Sequence, residues 1–459
     1  MCTNDETDRP ASSQPTERFF PPAPDAPEPL SMAAVLRVTT MRRLWYAQIV
    51  SVFGDFLALF AVITVMTFKL HSTAQQVTGI QIAYLLPIAI LGILSGVFVD
   101  RWPVKRTLVA SDLIRAGLVL MLIFVHNVYG FYAVLAAISV VSSFFGPAQG
   151  VAIRSAVPLH GLRSANSLIQ QVMFVMRIIG GPTAAFIVSH LGEKVCYIAD
   201  SVSFFASAAL IASLTLVIPK GNAVSQPIEG KSTPVIAEKS GLARILEDMQ
   251  EGASFIFHHA ALFFVIVALA AGMFVMGCFG PLIAIFVRDT LHASTNVFGI
   301  ASAMIGAGLL IGITLLNAVA KNVKNNTLVY FGLSGIAAGT LILAAAPHIV
   351  FHLSSRAFAT DILLTVFGCF VIGFAAAGII IPSQTMIQQE TPPMMLGRVG
   401  STVMSLIFSA QIAGLILSGI LANYTSVRHV FAICTAMLVV LILVGKFWME
   451  PKPSIQPDT

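Results

Sequence analysis

From Leu44 onward, long apolar runs alternate with short polar breaks. A helix rises 1.5 Å per residue, so roughly 20 apolar residues cross the ~30 Å hydrocarbon core of a bilayer. On that length the runs predict twelve spans, near 44–68, 77–99, 107–126, 130–152, 165–189, 194–218, 260–287, 297–317, 327–346, 359–381, 399–422 and 427–449. The longest break, 219–259, separates six spans (44–218) from six (260–449) and carries Pro219, Gly221, Pro227, Gly230, Pro234 and Gly241. It reads as a linker between halves. In its second part Leu242, Ile245, Leu246, Met249 and Ile256 fall on one helical face against Arg244, Glu247, Asp248 and Glu251. That pattern predicts an amphipathic helix in the cytoplasmic interface, with a solvated linker helix as the plainer alternative. Residues 1–43 hold seven prolines and mixed charges without an apolar period, which predicts a disordered cytoplasmic tail and no signal peptide. Residues 450–459 form a second tail.

The two sets of spans repeat. Val77, Gly79, Ile80, Ala83, Gly92, Ile93, Val99, Thr107, Leu108 and Val109 each recur 220 positions later. Apolar composition inflates such a score, so the polar positions matter more. Pro147, Gln149, Pro158 and Arg163 match Pro382, Gln384, Pro393 and Arg398 at a constant offset of 235. The expected architecture is an all-α membrane protein of twelve transmembrane helices in two pseudo-symmetric six-helix bundles, with a substrate site between them.

Composition agrees: 57% of the 459 residues are apolar, 10% are charged and the mean hydropathy is +0.87. Soluble domains carry about 25% charged residues, so a water-facing surface and soluble catalysis are excluded. The net charge of +5 is placed by topology and does not point to nucleic acid. With the amino terminus inside, 19 of the 26 Lys and Arg fall on cytoplasmic segments and five outside, which puts both termini in the cytoplasm of a plasma (inner) membrane protein. Five isolated cysteines without a CxxC spacing suggest neither a disulfide framework nor a metal site. The absence of a phosphate-binding GxxxxGK[ST] argues against ATP hydrolysis. No cofactor and no enzyme activity are expected.

The loop after the second span reads Gly96-Val-Phe-Val-Asp100-Arg101-Trp-Pro-Val-Lys105-Arg106, followed by Asp112 and Arg115. It resembles the signature loop of the major facilitator superfamily, departing at Pro103 and Val104, where the family usually has a glycine before its basic pair. Further stretches resemble that superfamily's bacterial exporter branch of enterobactin and macrolide efflux proteins: Ser51 to Asp55, Phe145 to Ala148, Arg163 to Leu168, Gly181-Pro182 and Asp200 to Phe204. The resemblance implies the major facilitator fold, alternating access and proton-driven export. Electrostatically, Asp100 favours helix amino ends while Arg101, Lys105 and Arg106 favour carboxyl ends, so the loop is expected to lock a cytoplasmic gate against the other half. A second reading of the basic residues is the positive-inside bias alone. Gly180-Gly181-Pro182 resembles the antiporter motif, with Ala184 and Ala185 where that motif has glycines, and Gly181 and Pro182 predict a helix bend.

Charges within spans are costly and usually serve a pathway or a partner. Asp55 in the first span and Arg177 in the fifth fall near the midplane, as either a proton-coupling pair or a packing ion pair. Asp112 and Arg115 fall in the first two turns of the third span, within reach of the cytoplasm; Asp200 and Asp361 fall near external helix ends. The resemblance implies that the first, fourth, seventh and tenth helices line the cavity. They would offer Phe53, Phe56, Phe60, Ser139, Ser142, Ser143, Met273, Phe274, Met276, Phe279, Phe367, Phe370 and Phe374. Aromatic and Met side chains suit bulky apolar ligands. The expected function is a proton-coupled exporter of lipophilic small molecules, drug or siderophore, acting as a monomer among membrane lipids. A lysophospholipid flippase on the same fold is the alternative. A membrane-embedded enzyme is the third reading and lacks a His, Asp or Ser/Lys cluster.

Overall fold

Each apolar run folds as a helix, because inside a bilayer the backbone must satisfy its own hydrogen bonds. The first half consists of α2 (Thr39–Thr64), α3 (Ala74–Val99), α4 (Val104–Met121), α5 (Val128–Ala156), α6 (Leu162–Leu191) and α7 (Glu193–Ala212). The second consists of α9 (Ala260–Ile285), α10 (Thr295–Val319), α11 (Asn325–Ile349), α12 (Ala357–Glu390), α13 (Leu396–Tyr424) and α14 (Val427–Val444). A short α1 (Met32–Arg37) precedes them and α8 (Gly241–His258) lies between the halves. The computed structural model describes residues 30–99, 102–214, 241–319, 323–349, 357–392 and 395–449. Among these, twelve helices are long and apolar enough to cross a membrane, and no strand occurs.

Local chemistry sets the helix ends. At α3 the Thr73 amide donates to Gln76 Oε1 (3.0 Å) and the Gln76 amide to Thr73 Oγ1 (3.3 Å), a capping box that satisfies two orphan donors. Asn127 accepts from the Gly130 amide at 2.6 Å and starts α5. Gly192, at φ 87°, turns the chain from α6 into α7 in a conformation that favours glycine. Arg43 and Lys105 each donate at 2.7 Å to a carbonyl past the end of α7, Ser213 O and Leu214 O, where the helix dipole favours cations.

One expectation needs correction and another needs an addition. The tail expected to run to residue 43 gives way to α1 and to the first residues of α2. Val35 and Met41 are fully buried, and Leu30 bonds to His160 O and accepts from Ser164 Oγ. Neighbouring Arg37, Arg42 and Arg43 had masked this apolar packing; residues 1–29 and 450–459 lie outside the described residues. Helix α8 forms where expected but docks on α13: Thr402 Oγ1 donates to Met249 O, Arg398 pairs with Glu251, and Gly252 lies against the Arg398 backbone. Its inner face is therefore partly covered by protein.

The repeat is visible in backbone detail. Helices α2 and α9 both end in a π-helical turn, Val65–Lys69 and Phe286–Thr290, followed by His71 and His292 at φ 47° and 49°. The amides of Leu70 and Ser72 bond to Val65 O and Met66 O, and those of Leu291 and Ala293 to Phe286 O and Val287 O. The corresponding residues are 221 apart, one more than the sequence repeat indicated.

Candidate functional site

Two adjoining chambers lie between the helices. An inner chamber of about 410 Å³ is walled mainly by the first half, with Phe408 and Gln411 from α13. A seam chamber of about 250 Å³ lies between the halves. Five residues face both: Phe56, Leu59, Gln81, Arg177 and Gln411. Close helix approach shapes these walls. Gly180 stands against Phe56, with only 2.7 Å between its absent Cβ position and Phe56 Cβ, and Gly277 stands against the Gln411 backbone. Side chains larger than hydrogen there would push α2 from α6 and α9 from α13.

Polar chemistry is concentrated in the inner chamber, which Asp55, Tyr84, Arg177 and Asp200 line with the two glutamines. Gly54 lets α7 approach α2: a Cβ there would meet Asp200 Oδ1 and Ser203 Oγ and lie 2.9 Å from Asp200 Cα. Asp200 thus sits beside Asp55 in the protein interior, 1% exposed, and not at a solvated helix end as the sequence suggested. Asp55 and Arg177 share this chamber without pairing. Among the described residues Arg177 has no hydrogen bond or ion pair, and its side chain keeps more than a third of its surface open. The expected ion pair is therefore absent in this conformation.

Beyond the shared Arg177, Gln81 and Gln411, and Ser302 of α10, the seam chamber is walled by apolar side chains. Phe60 of α2 stacks on Phe298 of α10 with centroids 4.4 Å apart, and Met276, Phe279, Ile283 and Ile305 complete the wall. Of the thirteen cavity residues expected from sequence, the structure brings Phe56, Phe60, Met276 and Phe279 to the chambers. The other nine stand elsewhere. The hydroxyls of Ser139, Ser142 and Ser143 donate to Tyr84 O, Ile138 O and Val140 O, so they are consumed by backbone carbonyls. Phe53, Met273 and Phe274 pack against the core. Phe370 and Phe374 lie where α12 meets the glycines of α10, Gly308 and Gly312, and Phe367 is 52% exposed and lines neither chamber. Helix α12 supplies no residue to either wall.

The gate residues also divide. Asp100 and Arg101 lie outside the described residues, and Gly96 lies on α3. Lys105 caps α7 of its own half and Arg106 is exposed. For Asp112 and Arg115 the depth needs correction: they are not solvated at a helix end but, one helical turn apart, form a buried ion pair with a structural place inside the first half. Ser207 donates to Asp112 Oδ2 at 2.6 Å, and the Arg115 guanidinium lies 4.5 and 4.3 Å from the Phe145 and Phe204 ring centroids. A charge pair so enclosed packs α4 against α5 and α7. Gly181 and Pro182 face the seam, where a Gly181 Cβ would lie 3.3 Å from Ser302 Cβ of α10.

The halves meet toward the face that carries the α2–α3, α6–α7, α9–α10 and α13–α14 turns. There Arg288 of the second half donates to Thr67 O (2.6 Å) and Ser72 O (3.0 Å) of the first. Gly299 packs on Ala185 and Gly419 on Thr78 and Gln75, all nearer to that face. Arg288 and Thr67 are counterparts in the repeat, so the pseudo-twofold axis passes beside this contact.

The residues missed from sequence were Gln81, Tyr84 and Gln411. The two glutamines did leave a signal: each is an isolated amide inside an apolar run, where an unpaired polar group is expensive.

Twelve membrane-crossing helices in two related halves, closed around a cavity with polar groups at its centre, define a multi-pass membrane transporter. The chain belongs to the Major Facilitator Superfamily, whose family model matches residues 44–355 and 348–459. It is 26% identical over 403 residues to YfiS of Bacillus subtilis, an uncharacterized MFS-type transporter, covering 87% of this chain and 91% of that one. It is 24% identical to Macrolide efflux protein A of Streptococcus pyogenes, over 87% of this chain and 94% of that one. Among solved structures it is similar to the nucleoside transporter NupG (TM-score 0.62, 17% identity, 90% of this chain and 100% of that one). A POT family transporter in complex with 5-aminolevulinic acid matches at TM-score 0.64, with 10% identity and 89% and 96% of the two chains covered. The solved structures carry the fold alone.

Proposed function

We propose that the protein is a proton-coupled exporter of lipophilic small molecules in the cytoplasmic membrane, with both termini in the cytoplasm. The observation that carries this reading is the cavity itself: acids line its inner chamber, and aromatic and Met side chains line the seam. Proton coupling requires a group that is alternately charged and neutral where both sides gain access in turn, and we assign that role to Asp55, which lines the inner chamber. The similarity to Macrolide efflux protein A supports export, and the partition of Lys and Arg supports the orientation. On that orientation the Arg288 contact closes the external side, and the conformation faces inward.

The test has two stages. In a strain lacking its own efflux pumps, expression should raise resistance to some lipophilic compounds in a susceptibility panel, or raise siderophore secretion. In proteoliposomes with an imposed pH difference, Asp55→Asn should abolish accumulation of the identified substrate yet preserve its binding. Concentrative transport by Asp55→Asn would remove Asp55 from coupling.

A further inference from the structure

We propose that Arg177, flanked by Gln81 and Gln411, binds the carboxylate of a compact amphipathic acid whose apolar body occupies the seam chamber. This deepens the exporter reading by naming a substrate class. Arg177 is a charged side chain in the middle of a membrane-spanning helix, a placement normally kept for a partner or a pathway. No partner within the protein meets it among the described residues, although Asp55 shares the chamber. Its side chain is open to the cavity instead of sealed by packing. A guanidinium presents a planar fork of donors that matches a carboxylate.

The surroundings say how such a ligand would lie. Gln81 comes from α3 and Gln411 from α13, two helices that meet across the seam, and both carboxamides face the same two chambers as Arg177. The Gln81 carboxamide lies over Gly280 of α9, 3.5 Å from where a Cβ would stand, which places it at the seam. Asp55 and Asp200 line the inner chamber only, whereas the seam beyond the shared residues is walled mainly by aromatic and aliphatic side chains, so the apolar body is favoured in the seam and the carboxylate at Arg177, where the two chambers join. The Phe60 and Phe298 stack offers that body an aromatic surface. At about 250 Å³ the seam chamber is smaller than the roughly 300–1,000 Å³ of drug-sized sites, which favours one or two fused rings over a macrocycle.

Three probes of nearly equal shape test this on purified full-length protein: radiolabelled 1-naphthoate, the neutral naphthalene-1-methanol and the cationic 1-naphthylmethylamine. Naphthoate should bind at least about tenfold tighter than either analogue, the difference of one well-formed charged contact. Arg177→Gln should erase that preference, Arg177→Lys should keep part of it, and Phe298→Ala should weaken all three probes alike. If Arg177→Gln does not purify as folded protein, the double variant Gln81→Leu with Gln411→Leu should reduce the preference on its own. Equal binding of acid and alcohol, or a preference that survives Arg177→Gln, overturns the proposal. So does undetectable naphthoate binding at about 1 mM. Lysophosphatidylglycerol added as competitor separates a soluble acid from a lipid headgroup. Its chain exceeds the seam chamber, so strong displacement of naphthoate would assign Arg177 to lipid and overturn the proposal. The assay uses no gradient, so its failure leaves proton-driven export to be decided by the proteoliposome test.

Discussion

The two halves share helix order and π-helical turns, yet they are held together by different means. In the first half, charge is taken inside: Asp112 and Arg115 pair between rings, and Asp55, Asp200 and Arg177 face a chamber. In the second half, glycines bring backbones together. A Cβ on Gly373 would meet Ile305 O, one on Gly308 would meet Phe370 O, and one on Gly332 would lie 2.8 Å from Ala375 O. Close backbone packing needs no polar groups and leaves an apolar wall. Buried charges, by contrast, demand partners and define places where a proton or a ligand charge can act. The duplicated fold has therefore divided its labour. The first half holds ionisable chemistry, and the second supplies a smooth, tightly packed surface against which it works.

The largest test of this contrast is Arg115→Ala, which leaves Asp112 buried and uncompensated. Breaking such a pair costs about 3–5 kcal/mol, and thermal unfolding of the purified protein should show it. Equal loss from a seam or surface arginine would dissolve the distinction between the halves.

Next in size is Arg288→Gln, which removes two charged hydrogen bonds across the seam. At about 1.5–3 kcal/mol for such bonds, the closed population should fall by tenfold or more relative to the open one. Spin labels at Leu70 and Ser294 should report a new, longer distance; an unchanged distribution would mean that glycine packing alone holds the face shut.

Gly373→Ala and Gly117→Ala form a matched pair with opposite expected signs. The first forces a methyl onto the Ile305 backbone and should cost about 1–3 kcal/mol. The second meets nothing within 4 Å and should gain about 0.5–1 kcal/mol from helix propensity. Thermal shifts in the same direction would refute the assignment of glycine packing to the second half.

The smallest effect belongs to Lys69→Gln. Lys69 pairs with Glu193 at 2.5 Å within its own half and is 56% exposed, so its loss should cost about 1 kcal/mol or less and vanish at high salt. A change in the Leu70 to Ser294 distance with this variant would show that closure of this face depends on more than the Arg288 contact.

The sequence by itself determined the partition of the chain. Transfer from water to hydrocarbon acts on each run as a whole, so the number of spans, the break between halves and their repeat were all legible from composition and spacing. It also marked Asp55 and Arg177, because a charge in an apolar run stands out whatever surrounds it. Which way each helix faces was decided only by packing. Helices α3, α9 and α12 are apolar on every side, so no stripe indicates their rotation. Hence Phe367 and Phe374 were assigned to a cavity that α12 does not line, while Gln81 and Gln411 went unnoticed. Depth along a span was likewise too coarse a measure for Asp112, Arg115 and Asp200. Residues near a helix end in sequence are enclosed when Gly54, Phe145, Phe204 and Ser207 from neighbouring helices close over them. Hydrophobicity is a property each residue carries alone, whereas burial and partnership belong to the assembled bundle.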